Sequence, residues 1–417
     1  MNRERILVIS HAHPDFSLGG GEIAAYNLFK AYKISEDIED AWFLARADRG
    51  RGAVGAISKR RENEYLWEQS LVDNFMMKAA NSDSITTCFS DLIKALKPTV
   101  IHAHHYFHLG LEYLYEIKQI NPKIKIILTL HEYLAICYNN GQMLKTRNLE
   151  LCHQSSPDEC FNCYPDLSVE LFWLRKNRFM SYFDLVDQFI SPSDFLRQRY
   201  IDWGIPAEKI AVIENSQSDS HPLLPRELVG SETRNRFGFF GQINPYKGFD
   251  VLLEAINLMP KIERKKIVLE VHGANLEFQT IDFQEKIKKL ATPLVKQGVV
   301  LWIGPYQPNE LRARMANIDW VCLPSIWWEN SPMIIQEAFS LARPVICSDI
   351  GGMSEKIFNG VNGIHVPARN VKAWGDTLTR ASSYSKEWES LMKGTQEKLD
   401  NRRSIELHVG LLKKKLK

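Results

Sequence analysis

The chain has 417 residues, 52 Lys+Arg against 50 Asp+Glu, and a hydrophobic share of 45%. That length suits two domains, and the balanced composition excludes global disorder. The net charge of +2 excludes a dedicated nucleic-acid binder, which carries a clear basic excess.

Short apolar runs alternate with helical periodicity along most of the chain. Residues 6–10 read as a buried strand and 22–32 as a helix, with apolar residues at 23, 24, 25, 28, 29 and 31. Strands follow at 99–103 and 124–130, with a helix at 112–120 between them, and further strands at 188–191 and 211–214. Residues 215–235 break the pattern with Ser216, Ser218, Ser220, Pro222 and Pro225. The alternation then restarts: strands at 236–240, 267–272, 299–303, 319–323 and 344–347, and helices at 248–258, 280–297, 308–316 and 332–340. The tail, 386–417, is charged and helical. The predicted fold class is α/β, two halves with parallel sheets and helices on both faces. The domains are placed at 1–218, with a Cys-rich insertion at 137–163, and at 236–390. A linker, 219–235, joins them and a helical tail, 391–417, follows. No stretch reaches the roughly 18 apolar residues of a membrane span. The opening residues carry no signal-peptide pattern, so a cytoplasmic location is expected.

Two turns carry chemistry. The first is Gly19-Gly20-Gly21-Glu22, between strand 6–10 and helix 22–32. Its glycines let backbone N–H groups approach an anion at a helix start, or simply turn the chain. The second is Pro324-Ser-Ile-Trp-Trp-Glu329-Asn-Ser-Pro332-Met-Ile-Ile-Gln-Glu337. Pro332 suits the first helical position, with Asn330 or Ser331 as N-cap. The carboxyl end of an open α/β sheet is where ligands bind, and a helix start there favours a diphosphate. Glu337 can accept two hydrogen bonds from a ribose diol.

The spacing of Glu329 and Glu337 within Pro-Ser-x-Trp-x-Glu-Asn-Ser-Pro-x-x-x-x-Glu-Ala resembles the signature of family-4 retaining glycosyltransferases of the GT-B fold. The likeness extends to Arg343-Pro344, Gly351-Gly352, Asn359-Gly360, the run from Phe240 to Gly248, and Gly19–Glu22. The resemblance implies two Rossmann-like domains with a nucleotide-sugar held in the cleft between them, and a C-terminal helix crossing back to the first. It implies that Glu337 binds the ribose, Glu329 orients the donor sugar, Lys247 meets the diphosphate and His131 faces the sugar. Gly241, Gln242, Ser331, Met333, Gly20 and Gly21 complete the implied donor-binding set. The donor is expected to be a UDP- or GDP-sugar and the acceptor a glycan or lipid-linked molecule, in cell-surface polysaccharide synthesis. An epimerase or hydrolase on the same fold, or a non-catalytic scaffold, are the alternatives.

Gln242 stands where many relatives have Arg, so one diphosphate cation is missing; a charge-assisted hydrogen bond contributes about 1.5–3 kcal/mol. No Asp-x-Asp occurs, and no catalytic metal is expected. Cys137, Cys152, Cys160 and Cys163 have spacing that suits a structural zinc, against four ordinary thiols in a loop. The basic runs at 58–61 and 414–417, and the mixed aromatic-basic segment 171–185, raise peripheral contact with an anionic inner membrane face; a solvated surface and a packed amphipathic helix are the plainer alternatives.

Overall fold

In the computed structural model the described residues are 3–17, 19–47, 55–215, 221–383, 385–395 and 401–413. The chain forms two compact units, Met1–Ser218 with Leu399–Lys417, and Asp219–Lys398.

The first unit carries β1 (Glu4–Ser10), β2 (Ile38–Ala47), β3 (Ile57–Arg61), β4 (Glu64–Glu68), the short pair β5 (Leu71–Asp73) and β6 (Lys78–Ala79), β7 (Val100–Ala103), β8 (Lys125–Thr129), β9 (Gln188–Ser191) and β10 (Ile210–Val212). Its sheet runs β10-β9-β8-β7-β1-β2-β4-β3, and only the β3–β4 hairpin in it is antiparallel. Ile6, Leu7, Val8 and Ile9 are all fully buried. A parallel strand covered on both faces needs that continuous apolar run rather than alternation. Strand order reverses at β1, which pairs with β2 on one side and β7 on the other. The ends of β1 and β7 therefore flank the crevice where open α/β sheets bind ligands.

The second unit carries β11 (Arg236–Gln242), β12 (Val268–Ala274), β13 (Val300–Trp302), β14 (Trp320–Leu323), β15 (Val345–Ser348) and β16 (Gly363–Val366). They form an all-parallel sheet in the order β13-β12-β11-β14-β15-β16. Here the reversal falls between β11 and β14. Its core includes Trp320, Trp374 and Trp388, each fully buried.

Two segments differ from the sequence reading. Residues 221–235 pack onto the second unit instead of hanging between units: Arg226 and Arg234 both pair with the fully buried Asp319. The tail divides into helices Ser385–Gly394 and Asn401–Lys413. The second of these returns to the first unit, where Val409, Leu411 and Leu412 join the core and Lys125 Nζ donates to the Leu411 carbonyl at 2.6 Å. The segment read as a packed amphipathic helix rather than an interfacial one forms helix Val169–Phe183, whose Arg175 is 3% exposed and donates to the carbonyls of Phe75, Leu134 and Ala135. That guanidinium pins the loop after β8 and is unavailable to a lipid head group. Of the basic run on β3, Arg60 and Arg61 pair with Asp15. The run 414–417 lies outside the described residues. Among the described residues no helix is long and apolar enough to cross a membrane.

Candidate functional site

In the second unit the loops after β11 and β14 meet at the sheet's reversal point. Asn244 Oδ1 accepts from the backbone N–H groups of Tyr246 and Lys247, closing a tight turn. Gly248 follows at φ +66°, where a Cβ would lie 1.9 Å from the Pro324 carbonyl oxygen. Only glycine lets the two loops approach this closely. The contact delivers Lys247 to Glu329: Nζ lies 2.6 Å from Oε1. The same oxygen accepts from Ser325 Oγ at 2.8 Å and Trp327 Nε1 at 2.9 Å. Glu329 is 5% exposed, and these three donors compensate its buried charge. Beneath it, Gly352 N–H donates to the Glu329 carbonyl at 2.7 Å. A Cβ on Gly352 would lie 1.5 Å from the Asn330 oxygen.

Helix Met333–Ser340 starts one residue later than expected. Pro332 is its N-cap, with ψ 116°, and Met333 is the first helical residue. Asn330 and Ser331 lie before the cap. Glu337 stands on the second turn, half-buried, and no ion pair or side-chain hydrogen bond engages its carboxyl among the described residues. Burial pushes that carboxyl up to about 7. Gly241, at φ +135°, and the exposed Gln242 close β11. Arg343, part of the same signature, is fully buried and donates to the carbonyls of Met315, Leu341, Ala342 and Leu224. Its role is to hold the backbone.

The first unit gathers a second cluster at its own reversal point. His131, just past β8, pairs with His104 (Nε2 to Nδ1, 2.9 Å) and stacks on His104 and His105. Burial pushes its pKa down to about 4 despite the charge of Glu22, so the ring is neutral at pH 7. Gly20 and Gly21 open helix Gly20–Ile34. A Cβ on Gly21 would meet His105 Nε2 at 2.6 Å, so glycine admits the ring. Glu22 on this helix pairs with His11 (3.3 Å) and accepts from Ser17 Oγ (2.6 Å). Burial alone would raise its carboxyl, but His11 and Ser17 bring it down to about 2. The carboxyl of Glu132 is pushed up to about 7 by burial. His11, His104, His105 and Glu132 escaped the sequence reading. The run His102-Ala103-His104-His105 at a strand end was the available signal.

All four clustered cysteines line one cavity. Burial raises the thiols of Cys137, to about 11, and of Cys152 and Cys160. No three of the four bring their sulfurs within 4.8 Å of one another.

The family model described as Glycosyl transferases group 1 matches residues 223–398, the unit that holds Lys247, Glu329 and Glu337. The Glycosyltransferase Family 4 model matches residues 84–216. The chain belongs to the family-4 glycosyltransferases, with the GT-B fold. The D-inositol 3-phosphate glycosyltransferase of Pseudarthrobacter chlorophenolicus is 30% identical over 144 residues, 34% of this chain and 32% of that protein. The lipopolysaccharide 1,2-N-acetylglucosaminetransferase of Salmonella typhimurium is 26% identical over 186 residues, 42% of this chain and 48% of that protein. The chain thus spans less than half the length of these two relatives. Anabaena HepE, solved in complex with UDP and glucose, has a TM-score of 0.64 at 16% identity, covering 98% of this chain and 99% of that chain. At that identity the likeness concerns the fold.

Proposed function

We propose that this glycosyltransferase takes a sugar from a nucleotide-sugar and transfers it, with retention of anomeric configuration, to a glycan or lipid-linked acceptor in cell-surface polysaccharide synthesis. The observation that carries the reading is Glu337. Among the described residues its carboxyl has no ion-pair or side-chain hydrogen-bond partner, and it stands on the helix after the Glu329 loop, at the sheet's reversal point. A ribose diol would give it two hydrogen bonds and favour its ionised form. Lys247 uses one N–H on Glu329 and keeps two for a diphosphate. Glu329 Oε1 is saturated, which leaves Oε2 for a sugar hydroxyl. Gly241, Gln242, Ser331 and Met333 are assigned to the nucleotide, and Gly20, Gly21 and His131 keep the donor roles that the family resemblance implies.

As the sugar–phosphate bond breaks, positive charge grows on the ring and negative charge on the diphosphate. Lys247 and the start of helix Met333–Ser340 stabilise the latter. The departing phosphate accepts the acceptor's proton, so no protein base is assigned. His131, neutral and oriented by His104, donates or accepts one hydrogen bond at the sugar. That UDP is bound by Anabaena HepE and that the Salmonella relative is named for lipopolysaccharide support a UDP-sugar and a surface-glycan acceptor. Product analysis with a panel of nucleotide-sugars tests the reading. A glycosylated acceptor with the donor's anomeric configuration supports it. Free or epimerised sugar alone, or no turnover, contradicts it.

We also infer that the four-cysteine insertion closes on a structural zinc, because Cys137, Cys152, Cys160 and Cys163 ring one cavity. Zinc binding would deprotonate the thiols and draw the sulfurs together. One zinc per chain, lost with stability in Cys160→Ser, is expected. Absence of zinc together with an unaffected melting temperature in that variant would remove the site.

A further inference from the structure

We propose that His11, Glu22 and His105 form a divalent-cation site in the first unit, where the end of β1, the start of helix Gly20–Ile34 and the end of β7 meet. One ligand atom from each of the three lies within 4.8 Å of the others, and among the described residues no other set of three does so. Bonds of about 2.0–2.2 Å from a common ion place neighbouring ligand atoms about 3–4 Å apart, so small side-chain movements complete the site. Two imidazoles and one carboxylate are a donor set that suits Mn²⁺, Fe²⁺ or Zn²⁺ and leaves coordination positions open.

Three observations point to a cation here. Glu22 is 5% exposed, and its ion-pair partner among the described residues is a histidine, with no Lys or Arg. A divalent ion would give this buried carboxylate a full counter-charge. His105 is 2% exposed, and Ser10 Oγ lies 3.5 Å from its Nδ1. Its Nε2 faces Gly21, 2.6 Å from where a Cβ on that residue would stand. This is the arrangement in which an outer partner fixes the ligating nitrogen. The His11 and His105 rings meet edge-on, 3.8 Å between centroids, and among the described residues His11 Nδ1 is buried without a hydrogen-bond partner. Ser17 Oγ donates to Glu22 Oε1, the same oxygen that lies 3.3 Å from His11 Nε2. The ion would tie the Gly19–Gly21 turn to the two strand ends. Nothing in this assignment depends on sugar transfer, and its test does not read turnover.

Mn²⁺ is the probe, because thiolates favour softer ions and the cysteine insertion would compete for zinc. Chelator-treated full-length protein is titrated with Mn²⁺ and the free ion followed by electron paramagnetic resonance. One Mn²⁺ per chain, bound below about 1 mM, is expected. Glu22→Gln and His105→Ala are each expected to weaken binding at least tenfold. Pulsed resonance on the unaltered protein should show nitrogen coupling from imidazole, a readout that needs no variant to fold. No retained Mn²⁺ at millimolar concentration, a bound ion without imidazole coupling, or unchanged affinity in both variants would overturn the site.

Discussion

Lys247 Nζ lies 2.6 Å from Glu329 Oε1, across two loops that are 82 residues apart in the chain. The pair sits at the reversal point of the second sheet and locks the loop after β11 to the loop after β14. Lys247 is partly exposed while Glu329 is buried, so the two are not equivalent. Removing the lysine strands a buried carboxylate; removing the glutamate leaves a lysine that water can solvate.

Lys247→Met is therefore expected to destabilise the protein by about 1–3 kcal/mol, more than Glu329→Gln. The double variant should cost less than the two singles together, with a coupling of about 0.5–3 kcal/mol. Urea unfolding of the four proteins measures this. Additive costs would show that the pair contributes no joint stabilisation.

Glu337 should give opposite effects on stability and binding. Its carboxyl titrates near 7 in the fold against an ordinary 4.5. The folded state therefore holds the proton more tightly, and this group's contribution to stability falls as pH rises from 4.5 to 7. Glu337→Gln should be more stable than the parent at pH 8 by roughly 1–3 kcal/mol and nearly equal at pH 4. The same variant should bind nucleoside diphosphate at least tenfold more weakly at pH 8. In the parent, affinity should rise with pH up to about 7 and then level off, because binding the diol favours ionisation. Calorimetry of parent and variant across pH decides it. Parallel pH profiles would remove Glu337 from the ribose site.

Glu329→Ala and His131→Ala are expected to lower turnover more than nucleotide affinity, by about tenfold or more, since both are assigned to the sugar. Glu337→Ala should do the reverse. Initial rates combined with calorimetry separate the two classes, and unchanged turnover in both sugar-side variants would contradict the assignment.

The departure at Gln242 gives a gain-of-affinity expectation. Its side chain is exposed at the end of β11, so Gln242→Arg should fold normally and add one cation near the diphosphate. Affinity for a nucleoside diphosphate should rise about tenfold, in line with a charge-assisted hydrogen bond of about 1.5–3 kcal/mol, while affinity for the nucleoside stays unchanged. Equal affinities for the diphosphate in parent and variant would move the phosphates away from β11.

Much of the second unit was legible because its chemistry is local. Pro324 to Glu337 holds a strand end, a loop and a helix start in one run, so side-chain types and spacing point directly to a candidate site. The sequence could not show that Glu329 and Lys247 pair, since that depends on Gly248 admitting the Pro324 carbonyl. Arg343 misleads for the opposite reason: it sits within the signature but serves four carbonyls. The histidine cluster was illegible because residues 11, 104, 105 and 131 come from three strand ends that only the sheet order brings together. Pro332 at the cap, one residue from the expected place, reflects its ψ of 116°, which is outside the helical range.

The most direct test of the donor-site account is a thermal-shift screen of the full-length protein against UDP, GDP, ADP and their sugar conjugates. A ligand bound only by the folded state stabilises by about 2.7 kcal/mol at one hundred times its dissociation constant. The account predicts that one nucleoside diphosphate and its sugar conjugate raise the melting temperature selectively, and that Glu337→Ala abolishes the shift. No shift with any of them at millimolar concentration, or an equal shift in Glu337→Ala, would contradict it.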